Sequence, residues 1–393
     1  MQTLWEYELP AEGQISDFHC ESPILLHNGY VFYISVSSGC PKLLHIIDMD
    51  SGAGRTELLH SVNVCLPSDY FFIEYKEQVI IYADDLFLYR QGDLIRVMEL
   101  AEKGKVTAHL LNGNRLILSC SKQRNVVLCC CNLDTFSVEW ERDITNLNPY
   151  QAGELSAYGS LVACYGACYG QSRLMFLEYD TGKTADFVTL PRIDKLFWPL
   201  KTDDGNMLIG YTNWTNAGIL KYDLLNRKIV WRHKRKFQGP QLNCKIYRHN
   251  DMVFWVKNNT ELISLDMDTG AEIYSLRTTP WLYTDLQFLW DDLIYGTSGA
   301  DGYINCIDAR SGNVRWSVFL KNGCTYYDIC GESVIVGDFN KTLKQISYSD
   351  GVILQDYRID GEVVGRIKVS EGCIYTVIWG NSKKGVRLVK VLI

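Results

Sequence analysis

No apolar run in this 393-residue chain is long enough to cross a membrane as a helix; stretches such as Gly29–Val36 (GYVFYISV) have the length of a β-strand. Positive charge is not in excess: the formal net charge is −7, which excludes the broad basic field of a general nucleic-acid binder. The N-terminus, MQTLWEYELPAEGQISDFHC, has two glutamates ahead of any apolar run and no basic stretch leading into one. It therefore has no secretory signal pattern, and the chain is expected to stay in the cytoplasm.

Signatures of chemistry are equally scarce. No phosphate-cradling glycine loop follows a strand, no Gly-x-Ser-x-Gly elbow occurs, and the seven histidines (His19, His27, His45, His60, His109, His233, His249) are scattered. A metal site commonly uses paired Cys or His ligands. Cys164-x3-Cys168 and Cys324-x5-Cys330 have no second half at fitting spacing, and His19-Cys20 stands alone. The sequence thus gives no catalytic, cofactor-binding or metal-binding residue, and leans away from an enzyme.

What is present is apolar and aromatic. Hydrophobic residues make up 47% of the chain and aromatics 12%, with 24 Tyr and 10 Trp, a composition suited to strands. Fourteen cysteines, most in apolar strand-like runs, form no disulfide framework for a chain of this length and read as reduced, buried thiols. Three are consecutive, Cys129-Cys130-Cys131 in VVLCCCNLD, Val126–Asp134.

An internal repeat organises the rest. ELISLDMDTGAEIYSLRTT (Glu261–Thr279), YINCIDARSGNVRWSVFL (Tyr303–Leu320) and GILKYDLLNRKIVWRHKRK (Gly218–Lys236) each join an apolar run, an Asp-containing turn and a second run. Such turns fall near residues 51, 92, 135, 181, 226, 269, 311 and 350, spaced 39 to 46 apart. Two further strands precede each, and helical periodicity is missing throughout. Four short strands per repeat predict an all-β, closed β-propeller of eight or nine four-stranded blades, forming one domain over residues 1–393. The C-terminal segment supplies three strands with no fourth. The N-terminal LWEYEL (Leu4–Leu9) resembles the strand after a turn, so residues 4–9 are expected to complete the closing blade with residues 363–393.

The pattern Asp-x-x-Thr/Ser-Gly-x-x-x-Trp, best matched by Asp266–Tyr274 and Asp308–Trp316 and partly by Asp223–Trp231 and Asp134–Trp140, resembles the quinoprotein (PQQ)-like repeat. That family includes quinone-dependent alcohol dehydrogenases and the scaffold lipoprotein of outer-membrane barrel assembly. The resemblance implies that Trp5, Trp140, Trp231 and Trp316 pack between neighbouring blades. In the dehydrogenases two adjacent cysteines form a disulfide against the cofactor. Here the three cysteines lie within a strand, where neighbours point to opposite faces, so packing by sulfur is the expectation.

Function is sought on the loops, which carry aromatics among polar neighbours. Loops between the second and third strands give Tyr169 in Gly166–Ser172, Trp214 in Thr212–Ala217, Ser298–Gly302, Phe339 in Gly337–Lys341 and Trp379 in Trp379–Gly385. Inter-blade loops give Trp198 in Arg192–Leu200 and Trp281 in Thr278–Asp285. Aromatics on one rim are what a protein hot spot uses. A basic run, Arg232, Lys234, Arg235 and Lys236, reads as the charged guard of an outer edge or a patch for an acidic partner. The expected function is a non-catalytic scaffold binding another protein or peptide, a toxin-neutralising immunity-type protein being one version. No nucleic acid or membrane partner is expected, and a monomer is favoured. The alternative is a carbohydrate or small-molecule site in the central funnel, with a quinone-dependent oxidoreductase as its last version.

Overall fold

The computed structural model describes residues 1–9, 23–36, 42–60, 70–122, 125–145, 155–168, 171–191, 193, 195–202, 204–213, 215–236, 244–257, 259–278, 282, 285–380 and 385–393. These form a β-propeller fold of nine antiparallel blades. Six blades are separate four-stranded sheets. The seventh and eighth share one seven-stranded sheet, because the 17-residue strand Val314–Cys330 is the last strand of one and the first of the next.

Chain contacts divide the protein into two compact units. The first, Met1–Ala83, Phe87–Ile95 and Arg277–Ile393, holds the first blade (25–60), most of the second (70–98), the seventh and eighth (287–358) and the closing blade. The second unit, Asp84–Leu86 and Arg96–Leu276, holds the third (105–143), fourth (156–191), fifth (195–236) and nearly all of the sixth blade (244–277).

Within a blade the two middle strands are buried on both faces, as in Met252–Lys257 (MVFWVK) and Glu261–Asp266 (ELISLD). Hence they read as continuous apolar runs rather than alternating ones. The outermost strands alternate instead, Ile353–Arg358 (ILQDYR) showing only every second residue partly covered.

The closing blade is built as the sequence predicts, with small differences at its edges. Gln2–Leu9 pairs antiparallel with Val386–Leu392, from Gln2 opposite Leu392 to Leu9 opposite Val386. The added strand is two residues longer than expected. The innermost strand is broken in two, Glu362–Val363 and Lys368–Ser370, both paired with Cys373–Trp379. Gly365 and Arg366 fall in the break, where Gly365 N bonds instead to Val377 O.

The turn before the outer strand follows one recipe in the first, sixth and seventh blades. Asp266 Oδ1 accepts from Thr269 N and Oγ1 at 2.8 and 2.6 Å; Asp308 does the same with Ser311 and Asp48 with Ser51. These hydrogen bonds hold all three carboxyls below their ordinary range. The glycine that follows adopts a left-handed conformation, with φ of 67° at Gly270, 74° at Gly312 and 72° at Gly52.

The four tryptophans take the place that the repeat implies. Trp5 and Trp316 in the first unit, and Trp140 and Trp231 in the second, lie against the turn glycine of the following blade: Gly52, Gly351, Gly182 and Gly270. A Cβ on any of these glycines would fall 2.5–2.8 Å from the indole.

Candidate functional site

The loop between the second and third strands of the eighth blade is built around one buried carboxylate. Asp338 ends Ser333–Asp338 and is buried, yet it accepts from Asn340 N at 2.9 Å, Thr342 N at 3.1 Å and Thr342 Oγ1 at 2.7 Å. Asn340 Nδ2 donates in turn to Lys321 O of the preceding blade. With its neighbours so anchored, Phe339 stands at the loop tip 37% exposed, and Lys341 takes a left-handed φ of 63°. The polar groups of the turn are satisfied by Asp338 and Lys321 O, and the apolar ring between them is partly open to solvent.

Trp379 closes the strand Cys373–Trp379 of the ninth blade and is half-buried. It packs with Tyr7, Leu26, Met49 and Val364 against the cluster containing Trp5, Leu9 and Tyr375. Much of its ring therefore serves the first unit's core. Trp198 corrects the sequence reading: it lies inside the strand Lys195–Lys201, the innermost of the fifth blade, not in an inter-blade loop. The pairing slips between Phe197 and Leu200, so the polar punctuation read as a loop marks a bulge. Ser298–Gly302 is likewise strand, continuous through Ser298–Asp308, and the Gly166–Ser172 loop shrinks to the two residues between Leu161–Cys168 and Gln171–Glu178. Tyr169, Trp214 and Trp281 lie outside the described residues.

The basic run occupies the outer strand Lys228–Lys236 of the fifth blade. Arg235 pairs with Glu272, whose carboxylate lies also 3.7 Å from His233, and Arg232 lies over the Tyr211 ring, 5.1 Å from its centroid. Arg232, Lys234 and Lys236 are exposed, whereas Arg235 is half-buried. The run is thus divided between structural pairing and charge presented to solvent.

One surface aromatic escaped the sequence reading. Trp290, 63% exposed with φ of 53°, sits in the tight turn between Gln287–Leu289 and Asp292–Gly296 and meets Tyr348 edge-on at 5.0 Å. Among the described residues no other aromatic among the exposed large hydrophobics is as open. The signal was present, a Trp directly before the Asp291-Asp292 pair in FLWDDL, where turn chemistry pushes the side chain outward.

The cysteines are structural in form. The nine whose side chains are described are free, and Cys129, Cys130 and Cys131 are fully buried in Asn125–Asn132. Cys130 packs with Ile117 and Trp140 on one face, and burial pushes its thiol up to about 12. Cys129 and Cys131 lie on the other face, sulfurs 3.6 Å apart, and share a hydrogen bond. That bond and the nearby Lys103 hold the Cys129 thiol low, while the same bond and burial push Cys131 far up. Among the described residues no three His, Cys, Asp or Glu side chains converge into a metal-binding group. The Tyr348–Asp292–Arg315 chain, at 2.6 Å on each side of the carboxylate, spans the seventh and eighth blades and fastens the turn at Tyr348.

Comparison with known proteins agrees with this fold. Residues 215–366 match the family model described as outer membrane protein assembly factor BamB. BamB from Moraxella catarrhalis superimposes with a TM-score of 0.50 at 19% identity, over 83% of this chain and 94% of its own. A europium-containing methanol dehydrogenase gives 0.53 at 8% identity, over 100% of this chain and 93% of its own. The computationally designed Ika8 protein gives 0.56 at 12% identity, over the full length of both chains. Curated protein sequences contain no match. At these identities the likenesses establish a PQQ-like β-propeller fold.

Proposed function

We propose that this chain is a non-catalytic scaffold that binds another protein or peptide through loops joining the second and third strands of its blades. Phe339 carries the reading. Its loop satisfies its polar groups through Asp338 and Asn340, so the exposed ring is rigid and adds contact area to a partner at little ordering cost. In the same position of other blades the sequence places Tyr169, Trp214 and Trp379. Trp281 and Trp198 are weaker members of the set, Trp198 because it lies in a strand.

The matching family model describes an assembly factor, which supports a partner of the protein class. The free, buried thiols support work in a reducing compartment such as the cytoplasm. In this reading the chain acts as one monomeric domain, and the exposed Arg232, Lys234 and Lys236 favour an acidic partner. A toxin neutralised by the propeller is one such partner. Affinity capture from native extract tests the proposal: wild type retains a stoichiometric protein that Phe339→Ala does not. Absence of any such protein, together with thermal stabilisation by sugars or a quinone, would instead place function in a small-molecule site.

A further inference from the structure

The sulfur cluster of the third blade has a third member that cysteine spacing could not reveal. Residues i and i+2 of a strand are separated by roughly 6.5 Å along the chain. Yet the sulfurs of Cys129 and Cys131 approach to 3.6 Å, so the two side chains lean toward each other. They are not joined, since a disulfide bond is about 2.05 Å long. The Cys131 thiol also donates to the thioether of Met98 at 3.4 Å. Met98 ends Asp93–Met98, the outer strand of the preceding blade, and is half-buried where both cysteines are fully buried. Three sulfurs thus stand in a row, Cys129 against Cys131 and Cys131 against a methionine that is partly open to solvent.

We propose that Cys129, Cys131 and Met98 form a three-sulfur site for a cuprous ion. Thiolate and thioether are soft donors and select Cu(I) among common metals, whereas a structural zinc ion needs a fourth ligand. Metal–sulfur bonds of about 2.3 Å in a plane hold the sulfurs about 4 Å apart. A rotamer adjustment of Met98, the most adaptable of the three, opens its 3.4 Å contact with Cys131 and swings its sulfur toward Cys129, and a small χ1 change in the cysteines opens their 3.6 Å contact. On binding, two S–H bonds break, two copper–thiolate bonds form, the Met98 sulfur donates a lone pair, and both protons leave to solvent without electron transfer. The product carries one negative charge. The Lys103 ammonium, which pairs with Glu141 opposite Cys129 and lowers the Cys129 thiol, lies where it offsets that charge. Cys130, on the other face of the strand, takes no part.

Anaerobic titration of the reduced full-length protein with cuprous ion, in competition with bicinchoninate, tests the site. One equivalent should be held with an ultraviolet thiolate-to-copper absorption, and affinity should fall as pH falls because protons compete for both thiolates. The double variant Cys129→Ser/Cys131→Ser should lose the absorption and the binding. Met98→Leu, which keeps the packing volume, should keep the fold and weaken binding by roughly tenfold or more. Cys130→Ala should bind as wild type does. Failure of the wild type to compete for copper, or undiminished binding by the Met98→Leu and double-cysteine variants, would overturn the proposal. So would a preference for zinc over copper. None of these results bears on the loop at Phe339, so the two proposals fail separately.

Discussion

The indole nitrogen of Trp231 donates to the main-chain oxygen of Met267 at 3.1 Å, three residues before the glycine that the same ring covers. The arrangement recurs with Trp140 on Tyr179 O at 3.0 Å, Trp5 on Met49 O at 3.0 Å and Trp316 on Tyr348 O at 2.7 Å. In each case the acceptor is the carbonyl three residues ahead of the turn glycine. The Trp of one repeat and the turn glycine of the next are thus halves of a single device. The glycine leaves room, and the indole covers it and donates to a carbonyl of the turn, which at Met267 is shared with Lys221 Nζ and at Met49 with Lys390 Nζ.

The glycine half of this device is sterically closed. Gly270→Ala or Gly182→Ala would place a methyl group 2.5 Å from ring carbons at a left-handed φ, and each should lower stability by about 2–4 kcal/mol. Gly331→Ala, also left-handed but with nothing within 4 Å, should cost only about 1 kcal/mol. Urea unfolding of the three variants compares strain alone with strain plus clash.

The indole half separates into packing and hydrogen bonding. Trp231→Phe removes one of two bonds to Met267 O, the other coming from Lys221 Nζ at 3.3 Å, and should cost about 1 kcal/mol. Trp231→Ala removes the ring as well and should cost about 3–5 kcal/mol. Equal losses in the two variants, read from denaturation midpoints, would show that the hydrogen bond carries the whole effect.

The N-terminal strand is a second point of dependence. Besides pairing with Val386–Leu392, it places Trp5 on Gly52, Glu6 against Arg387 and Thr3 Oγ1 2.8 Å from the Tyr357 hydroxyl. Removing residues 1–9 uncovers a full strand edge and should yield a protein that aggregates or unfolds cooperatively below the wild-type midpoint. Light scattering and circular dichroism check this; an undiminished midpoint would deny that the strand closes the blade.

Acid should weaken the first blade through His45. Its ring is buried, with nitrogens 2.7 Å from Ser35 Oγ and 3.1 Å from Thr56 Oγ1, and burial lowers its pKa from 6.5 to about 4. Between those values the unfolded chain binds the proton and the folded chain does not. Stability is therefore complete above pH 6.5 and falls as pH drops toward about 4, by up to about 3 kcal/mol. His109 and His233, lowered by burial, act in the same direction. His45→Gln should flatten the part of the urea-midpoint profile between pH 6.5 and 4 that belongs to this side chain.

The fold was legible because its signal repeats. The Asp-turn and Trp spacing, the doubly buried middle strands and the orphan LWEYEL all carry local periodicity that one chain displays several times. The loops carry no such redundancy. Trp198 reads as loop because a β-bulge and a loop share the same mixture of polar and aromatic residues, and the Asp pair beside Trp290 marks a turn without marking which side chain that turn exposes. Met98 is far in sequence from Cys131, which it contacts, and no spacing rule joins a thioether to a thiol across two blades.

The proposed function rests on the partly exposed aromatic loop at Phe339 as the place where a protein binds. The most direct measurement is the dissociation constant of the captured partner for purified wild type and Phe339→Ala, with the melting temperature of each. Exposure at Phe339 predicts an unchanged melting temperature and an affinity at least roughly tenfold weaker, the scale of a hot-spot side chain. Equal affinity of both proteins for that partner would contradict it.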